Sequence, residues 1–299
     1  MTEATLHPEL DAGELVETPN PWALIGRSFV ENKLALVGVL LVLLIVGFCF
    51  IGPHLYHTNQ TQPNLVQLNQ SPSAKHPLGT DYVGFDILGR LMVAGQSSIE
   101  IGLAVAVLAT SFGVLWGAVS GYFGGALDSI MMRVVDIFLA IPALFIFIYL
   151  ATVFRPTVGL LILVVSALSW VGPARLVRGE TLSLRVREYV QAVRVMGGSS
   201  TRMIFRHVVP NTVSTIVVNA TFQVADAVLI LATLSFLGFG LPPPAATWGG
   251  MLTNGTNYLY DGYWWEIYPA GVIIVLTVVA FNFIGDGLRD ALEVRLQRR

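Results

Sequence analysis

The sequence predicts an all-α membrane protein of about six transmembrane helices with both termini cytoplasmic. Three observations carry that prediction. Only 12 % of the 299 residues are charged and 54 % are hydrophobic, with a mean hydropathy of +0.69. A soluble domain carries about a quarter charged residues, so this chain has too few to cover a water-facing surface. Its apolar residues gather into runs near the length that crosses a bilayer core as a helix. Its basic residues also segregate. With the N-terminus inside, only Lys75, Arg90 and Arg155 of the 17 lysines and arginines fall outside, which satisfies the positive-inside rule.

Residues 1–33 are polar and acidic, and Pro8, Pro19 and Pro21 are expected to break any helix there. This segment reads as a cytoplasmic tail. The first span is Leu34 to Ile51. The segment before it is too long and too acidic for a cleaved signal, and no small-x-small site follows. Residues 52–97 are rich in Pro, Asn and Gln and read as polar, so residues 34–98 form a first span plus an extracytoplasmic segment. A five-helix core then occupies residues 99–299, with runs at Ile99–Ser120, Val134–Phe154, Thr157–Ala174, Ile216–Gly238 and Pro269–Gly285. A cytoplasmic loop of about residues 177–215 separates the fourth span from the fifth.

Several classes of function are excluded. A formal charge of −2 rules out a broadly basic nucleic-acid binder. Cys49 has no second thiol to pair with, so neither a disulfide framework nor a cysteine metal site is available. The chain has no glycine-rich phosphate loop ending in Gly-Lys-Ser/Thr, and Lys33 and Lys75 are its only lysines. Any ATP chemistry therefore belongs to a separate subunit, and no catalytic residue or cofactor is expected here. The five histidines fall outside the spans, unlike those of a membrane-embedded enzyme, and Asp226 is the one acid expected mid-membrane, too few for a proton relay. No internal repeat is evident, which weighs against a secondary transporter.

The loop carries the most informative pattern. From Glu188 the sequence favours a short helix stopped at Gly197-Gly198, since glycine takes the left-handed stop conformation. Ser199 or Ser200 can cap a second helix, which Pro210 would end. Val190, Val193, Arg194 and Gly197 fall on one face of the first helix. Two readings fit such a hairpin among arginines: a knob that docks on another protein, or an amphipathic segment lying on anionic lipid.

The stretch Gln191-Ala192-Val193, Gly197, His207, Val209 and Pro210 resembles the EAA loop of ABC importer permeases. That pattern is Glu-Ala-Ala, three residues, Gly, nine residues, a hydrophobic residue, any residue, Leu and Pro. Gln191 replaces the usual Glu, and His207 stands where Ile is usual. Further segments resemble the oligopeptide/dipeptide permease family, closest to its second, C-type subunit. They include His76-Pro-Leu-Gly-Thr-Asp81, Gly121-Tyr-Phe-Gly-Gly125, Leu234-Ser-Phe-Leu-Gly238 and Phe281-Asn-Phe-Ile-Gly-Asp-Gly-Leu-Arg-Asp290. The resemblance covers roughly residues 25–297. It implies a type I ABC importer permease fold in a bacterial inner membrane. The implied partners are a homologous second permease, two cytoplasmic ATPases and an extracytoplasmic binding protein, with di- or oligopeptides as cargo and nickel, glutathione or another small solute as the alternative. The ATPase-coupling residues it implies are Glu188, Tyr189, Gln191, Ala192, Arg194, Gly197, Arg202, His207 and Pro210.

Gly113, Gly117 and Gly121 recur every fourth residue, which clears a strip for close helix packing; a flexible gate is the other reading. Thr215, Asn219, Gln223 and Asp226 form a polar stripe on the fifth span. An acid at mid-membrane must face protein or water, so the stripe either bonds a neighbouring helix or lines a translocation path. His76, Asp81 and Asp86 are interleaved with Pro77, Gly79 and Gly84, a pattern of structural turns rather than of a metal site.

Overall fold

The computed structural model describes residues 21–297, with side chains at 25–150 and 152–292. Most of the expected N-terminal tail therefore lies outside the described residues. Its final part is helical: α1 spans Pro21–Glu31 and begins on the proline expected to break it. Proline suits the first helical turn, where its missing N–H would have no partner anyway.

Among the described residues the regular structure is helical, with one isolated bridge between Thr80 and Asp86. Four helices are long and apolar enough to cross a membrane, or up to six if two bent pairs each count as one span. The first is α2, Lys33–Phe50, capped by Asn32, whose Oδ1 accepts the Ala35 amide at 3.1 Å. After a single turn, α3 (Gly52–Leu55), an irregular excursion runs to Asp86.

The second span departs from expectation. It is one 37-residue helix, α4, running Ile87–Phe123 rather than starting at Ile99. At 1.5 Å per residue it is about 55 Å long, well beyond a ~30 Å bilayer core. Residues 87–98 look polar in sequence because they carry Arg90, Gln96, Ser97 and Ser98, but the fold partners three of the four. Gln96 Nε2 donates to the Cys49 carbonyl at 2.8 Å, Ser98 Oγ to the Ala94 carbonyl at 2.8 Å, and Arg90 Nη1 to the carbonyls of Gln60 and Pro244. Glu100, at the very edge of the expected run from Ile99, stands well inside this helix, so Asp226 is not the only acid within a span.

The third span also differs. In place of a continuous run from Val134 to Phe154 there are two helices, α5 (Gly125–Ala140) and α6 (Ala143–Val153), bent by 75°. Ile141 is extended, as the residue before Pro142 prefers. The fourth span is α7 (Val158–Ser169) with α8 (Val171–Leu184), bent by 40°. The loop helices α9 (Glu188–Val195) and α10 (Ser200–Met203) follow. The fifth span, α11, covers Val213–Leu234, α12 is Trp248–Thr256, and the last span is the long α13, Tyr268–Gln297.

The bundle is organised around α4. At one end it meets α8 along the glycine strip. A β-carbon on Gly113 would come within 2.6 Å of the Trp170 carbonyl oxygen, one on Gly121 within 2.7 Å of Thr181 Cβ, and one on Gly117 would collide with the Ala174 carbonyl. Higher up, Gly102 lies against Val228, and Ile101 and Val105 join Leu161, Val165, Ala227 and Leu231 in one apolar cluster. At the other end Ile87, Leu91 and Ala94 pack with Trp248, Trp265 and Cys49.

Candidate functional site

The two ends of α4 carry the two regions that can act. At its C-terminal end stands the hairpin. Helix α9 closes as expected: Gly197 sits at φ +84° and the Gly198 amide returns to the Val193 carbonyl at 3.0 Å. Ser199 is the cap of the second helix, its Oγ accepting the Arg202 amide at 3.3 Å. That helix does not run straight to Pro210. After Met203 it widens into a π turn, Ile204–Val208, and Pro210 falls in the 3-10 turn Val209–Asn211.

The base of the hairpin is anchored by Val190, Met203, Ile204 and Val208, all buried. Its outer surface holds Glu188, Tyr189, Gln191, Ala192, Arg194, Gly197, Arg202 and Pro210, with His207 half-buried. The face expected from sequence is thus split: Val190 points inward and Arg194 outward. Sequence reading missed the tip. Val195 is 88 % exposed and Met196 77 %, with Phe205 and Val186 also exposed nearby in sequence. No periodicity marks these residues, because a helix of eight residues is too short to declare two faces.

The hairpin is tied to the bundle through polar contacts along α8. Arg178 makes a two-pronged ion pair with Asp128 of α5, Nε at 2.5 Å and Nη2 at 2.6 Å, and Ser120 of α4 donates to the same carboxylate. Arg185 Nη1 donates to the Gly121 carbonyl at 3.0 Å. Glu180 accepts from Thr215 Oγ1 at the start of α11. Helix α8 and its C-terminal Arg185, which lead into the hairpin, are thus bonded to α4, α5 and α11.

The polar stripe of α11 is divided. Gln223 is buried, Asn219 is half-buried with its Oδ1 unpartnered, and Thr215 is engaged by Glu180. Asp226 is exposed, on a face shared with Leu229 and Thr233. It makes no hydrogen bond among the described residues. Gly102 meets Val228 and Val224, which flank Asp226 along α11, so Glu100 on α4 lies at nearly the same level. Two residues along a helix turn through about 200°, so Glu100 and Gly102 occupy opposite sides of α4.

At the N-terminal end of α4 the excursion folds back on the core. Asp86 caps the helix through the Gly89 amide at 2.8 Å and also receives Tyr56 Oη at 2.9 Å and His76 Nδ1 at 2.8 Å. Asp81 Oδ1 accepts the Val83 and Phe85 amides, as turn chemistry requires. Asp81 and Asp86 thus serve separate networks, and no cluster of three metal-ligating side chains occurs among the described residues. Burial, reinforced by Asp86, pushes the Tyr56 phenol up to about 12. Burial also raises Asp81, against the opposing pull of the local amides and Arg90. Arg90 lies over the Phe85 ring at 4.5 Å. Beside these groups a cavity of about 820 Å³ opens between the excursion and residues 235–254.

This architecture has close relatives. Residues 113–298 match the family described as binding-protein-dependent transport system inner membrane component, and residues 20–72 match the N-terminal TM domain of oligopeptide transport permease C. The chain belongs to the binding-protein-dependent transport permeases. It is similar to the oligopeptide transport system permease protein OppC of Bacillus subtilis, at 40 % identity over 277 residues, covering 93 % of this chain and 90 % of that one. The dipeptide transport system permease protein DppC of the same organism is 37 % identical, covering 91 % and 85 %. OppC of Escherichia coli is 37 % identical, covering 93 % and 92 %. The permease is accordingly a multi-pass protein of the inner membrane.

Proposed function

We propose that this permease is one membrane half of an ATP-driven importer of di- or oligopeptides, and that the α9–α10 hairpin is its docking element for an ATPase. One observation carries the proposal: an anchored hairpin whose apolar tip, Val195 and Met196, is bare while Arg194 and Arg202 stand beside it. Exposed apolar side chains ringed by charge are typical of protein interfaces. The names of the relatives support peptides as cargo. The arginine bias supports placing the hairpin and both termini in the cytoplasm and the excursion outside.

On this reading the complete transporter adds a homologous permease, two cytoplasmic ATPases and an extracytoplasmic binding protein, all embedded in or touching the bilayer. ATPase closure moves the hairpin. The Arg178–Asp128 and Arg185–Gly121 links pass that movement to α5 and α4, and the Glu180–Thr215 link passes it to α11. Glu188, Tyr189, Gln191, Ala192 and Arg194 form the contact surface; Gly197 sets the turn; Arg202, His207 and Pro210 shape the return arm. An acid facing lipid is costly, so the Asp226 face meets the partner permease or the water of the path, with Asn219 and Gln223 along the same helix.

The test is deletion of residues 188–198 in the assembled system. The variant is expected in the membrane but without ATPases on purification, and without uptake. Retention of both ATPases and of transport would refute the docking role.

A further inference from the structure

Glu266, in the short turn Trp264–Glu266 before α13, is only 4 % exposed, and neither carboxylate oxygen has a hydrogen-bond partner. The Tyr82 amide helps stabilise it electrostatically without reaching hydrogen-bond geometry. Buried polar groups are nearly always partnered, and an unpartnered one marks a missing occupant or a function. The carboxylate borders a small void of about 20 Å³, whose other walls are Asp81, Ile87, Arg90, Met251 and Asn254. A void of ~10–15 Å³ already holds one water-sized particle.

The charges around the void do not cancel. The excursion contributes Asp81 to its wall, with the phenol of Tyr82, on which Tyr258 stacks at 5.6 Å, within electrostatic range of Glu266. Helix α4 contributes Arg90, and α12 contributes Asn254 but no titratable side chain. Arg90 is turned toward two carbonyls, at 3.1 and 3.0 Å. One guanidinium against two carboxylates leaves the cluster one positive charge short. A buried charge without compensation is strongly unfavourable.

We propose that this void is a binding site for a single positive charge, either a proton on Glu266 or an alkali ion between Glu266 and Asp81, and that its occupancy holds the excursion against the core. The geometry fits this latch. Asp81 belongs to the excursion and Glu266 to the turn before the last span, while the Trp265 indole already reaches the Thr80 carbonyl at 3.3 Å. Asp81 and Arg90 also line the 820 Å³ cavity, so the occupant sets the charge on its wall. A proton makes Glu266 a neutral donor that a water in the void can bridge to Asp81 or Asn254. An alkali ion finds oxygen ligands in the same three side chains.

The docked state favours the neutralised pair, so docking is strongest at acid pH and weakens as the pH rises through the titration of the docked acid. Hydrogen exchange of the excursion amides in the complete transporter, in lipid, reads this directly. The reporters are the amides of Asn69, Thr80 and Asp81, which are bonded within the excursion. Exchange corrected for its intrinsic pH dependence is followed from mildly acid to mildly alkaline buffer, with choline, sodium or potassium as the only added cation. Wild-type protection is expected to fall at least about tenfold with rising pH in choline. Sodium or potassium restores it at alkaline pH if the occupant is an alkali ion, and fails to restore it if the occupant is a proton. Glu266→Gln, and independently Asp81→Asn, remove one negative charge and should stay protected in every buffer. Wild-type protection that ignores both pH and cation would overturn the proposal, as would either variant titrating like the wild type.

Discussion

The two ends of α4 treat exposed and buried surface in opposite ways. At the excursion end polar groups turn inward and find partners: Asp86 alone collects Tyr56, His76 and the Gly89 amide, and Arg90 is held by two carbonyls. At the hairpin end apolar groups turn outward and find none, with Val195 and Met196 at the tip. The contrast teaches that, Glu266 apart, one end satisfies its polar groups within this chain, while the other leaves an apolar surface that the docking proposal assigns to a partner. Stability and assembly should therefore be separable by mutation.

The largest effect is expected at the tip. Val195→Asp with Met196→Asp places two charges where the docked state needs apolar contact. Each side chain is a candidate hot spot of about 2 kcal/mol or more, so ATPase association should weaken by ~100-fold or more. Neither residue touches the core, so the melting temperature of the isolated permease should not move. A lowered melting temperature with intact association would erase the distinction between the two ends.

The mirror experiment is Asp86→Ala. It strips three hydrogen bonds from the start of α4, each worth roughly 1 kcal/mol and more where a charged group takes part, so a loss of ~3 kcal/mol is expected. ATPase co-purification should be unaffected once the protein is in the membrane. Between the two stands Gly117→Ala. The added methyl must push α8 away from α4, an overpacking cost of about 1–3 kcal/mol. Because α8 leads into the hairpin, this variant should also lower uptake per ATP hydrolysed while the ATPases stay bound, and a variant with normal coupling would show that the strip serves packing alone.

Sequence and structure agree where a local rule suffices. Of the two readings of the glycines at 113, 117 and 121, close contact with a helix is the one their positions against α8 fit, and Gly197 and Ser199, one of the two serines offered as a cap, take the stop and cap positions. The misreadings occur where a distant segment supplies the partner. Residues 87–98 look too polar for a span until Cys49, Gln60 and Pro244 are seen accepting from them. The Glu266 void joins residues 81, 90, 254 and 266, which no window along the chain brings together. The break at Ile141–Pro142 lies inside a run that is apolar on both sides, so hydropathy carries the expected span straight through it.

The smallest effect on stability is expected at Asp226, and it bears on which parts of the chain are unfinished. The side chain is exposed and unpartnered among the described residues, so Asp226→Asn should shift stability by no more than ~0.5 kcal/mol. Its carboxylate still sits in a span, where a charge is tolerated only against protein or water. Where water is scarce, an unscreened carboxylate attracts the protonated amino terminus of a peptide more strongly than in bulk solvent. Asparagine keeps the shape and the hydrogen-bonding capacity and removes the charge. If Asp226 faces the path, the variant should assemble normally, melt normally and take up free-amine peptides several-fold more slowly, with little change for peptides blocked at the amino end. If it is instead a contact with the second permease, uptake by the asparagine variant should be unchanged and Asp226→Leu should lower recovery of the paired permeases. Measuring uptake of both peptide types alongside recovery of the pair separates the two, and undiminished uptake by a correctly assembled asparagine variant would remove Asp226 from the path.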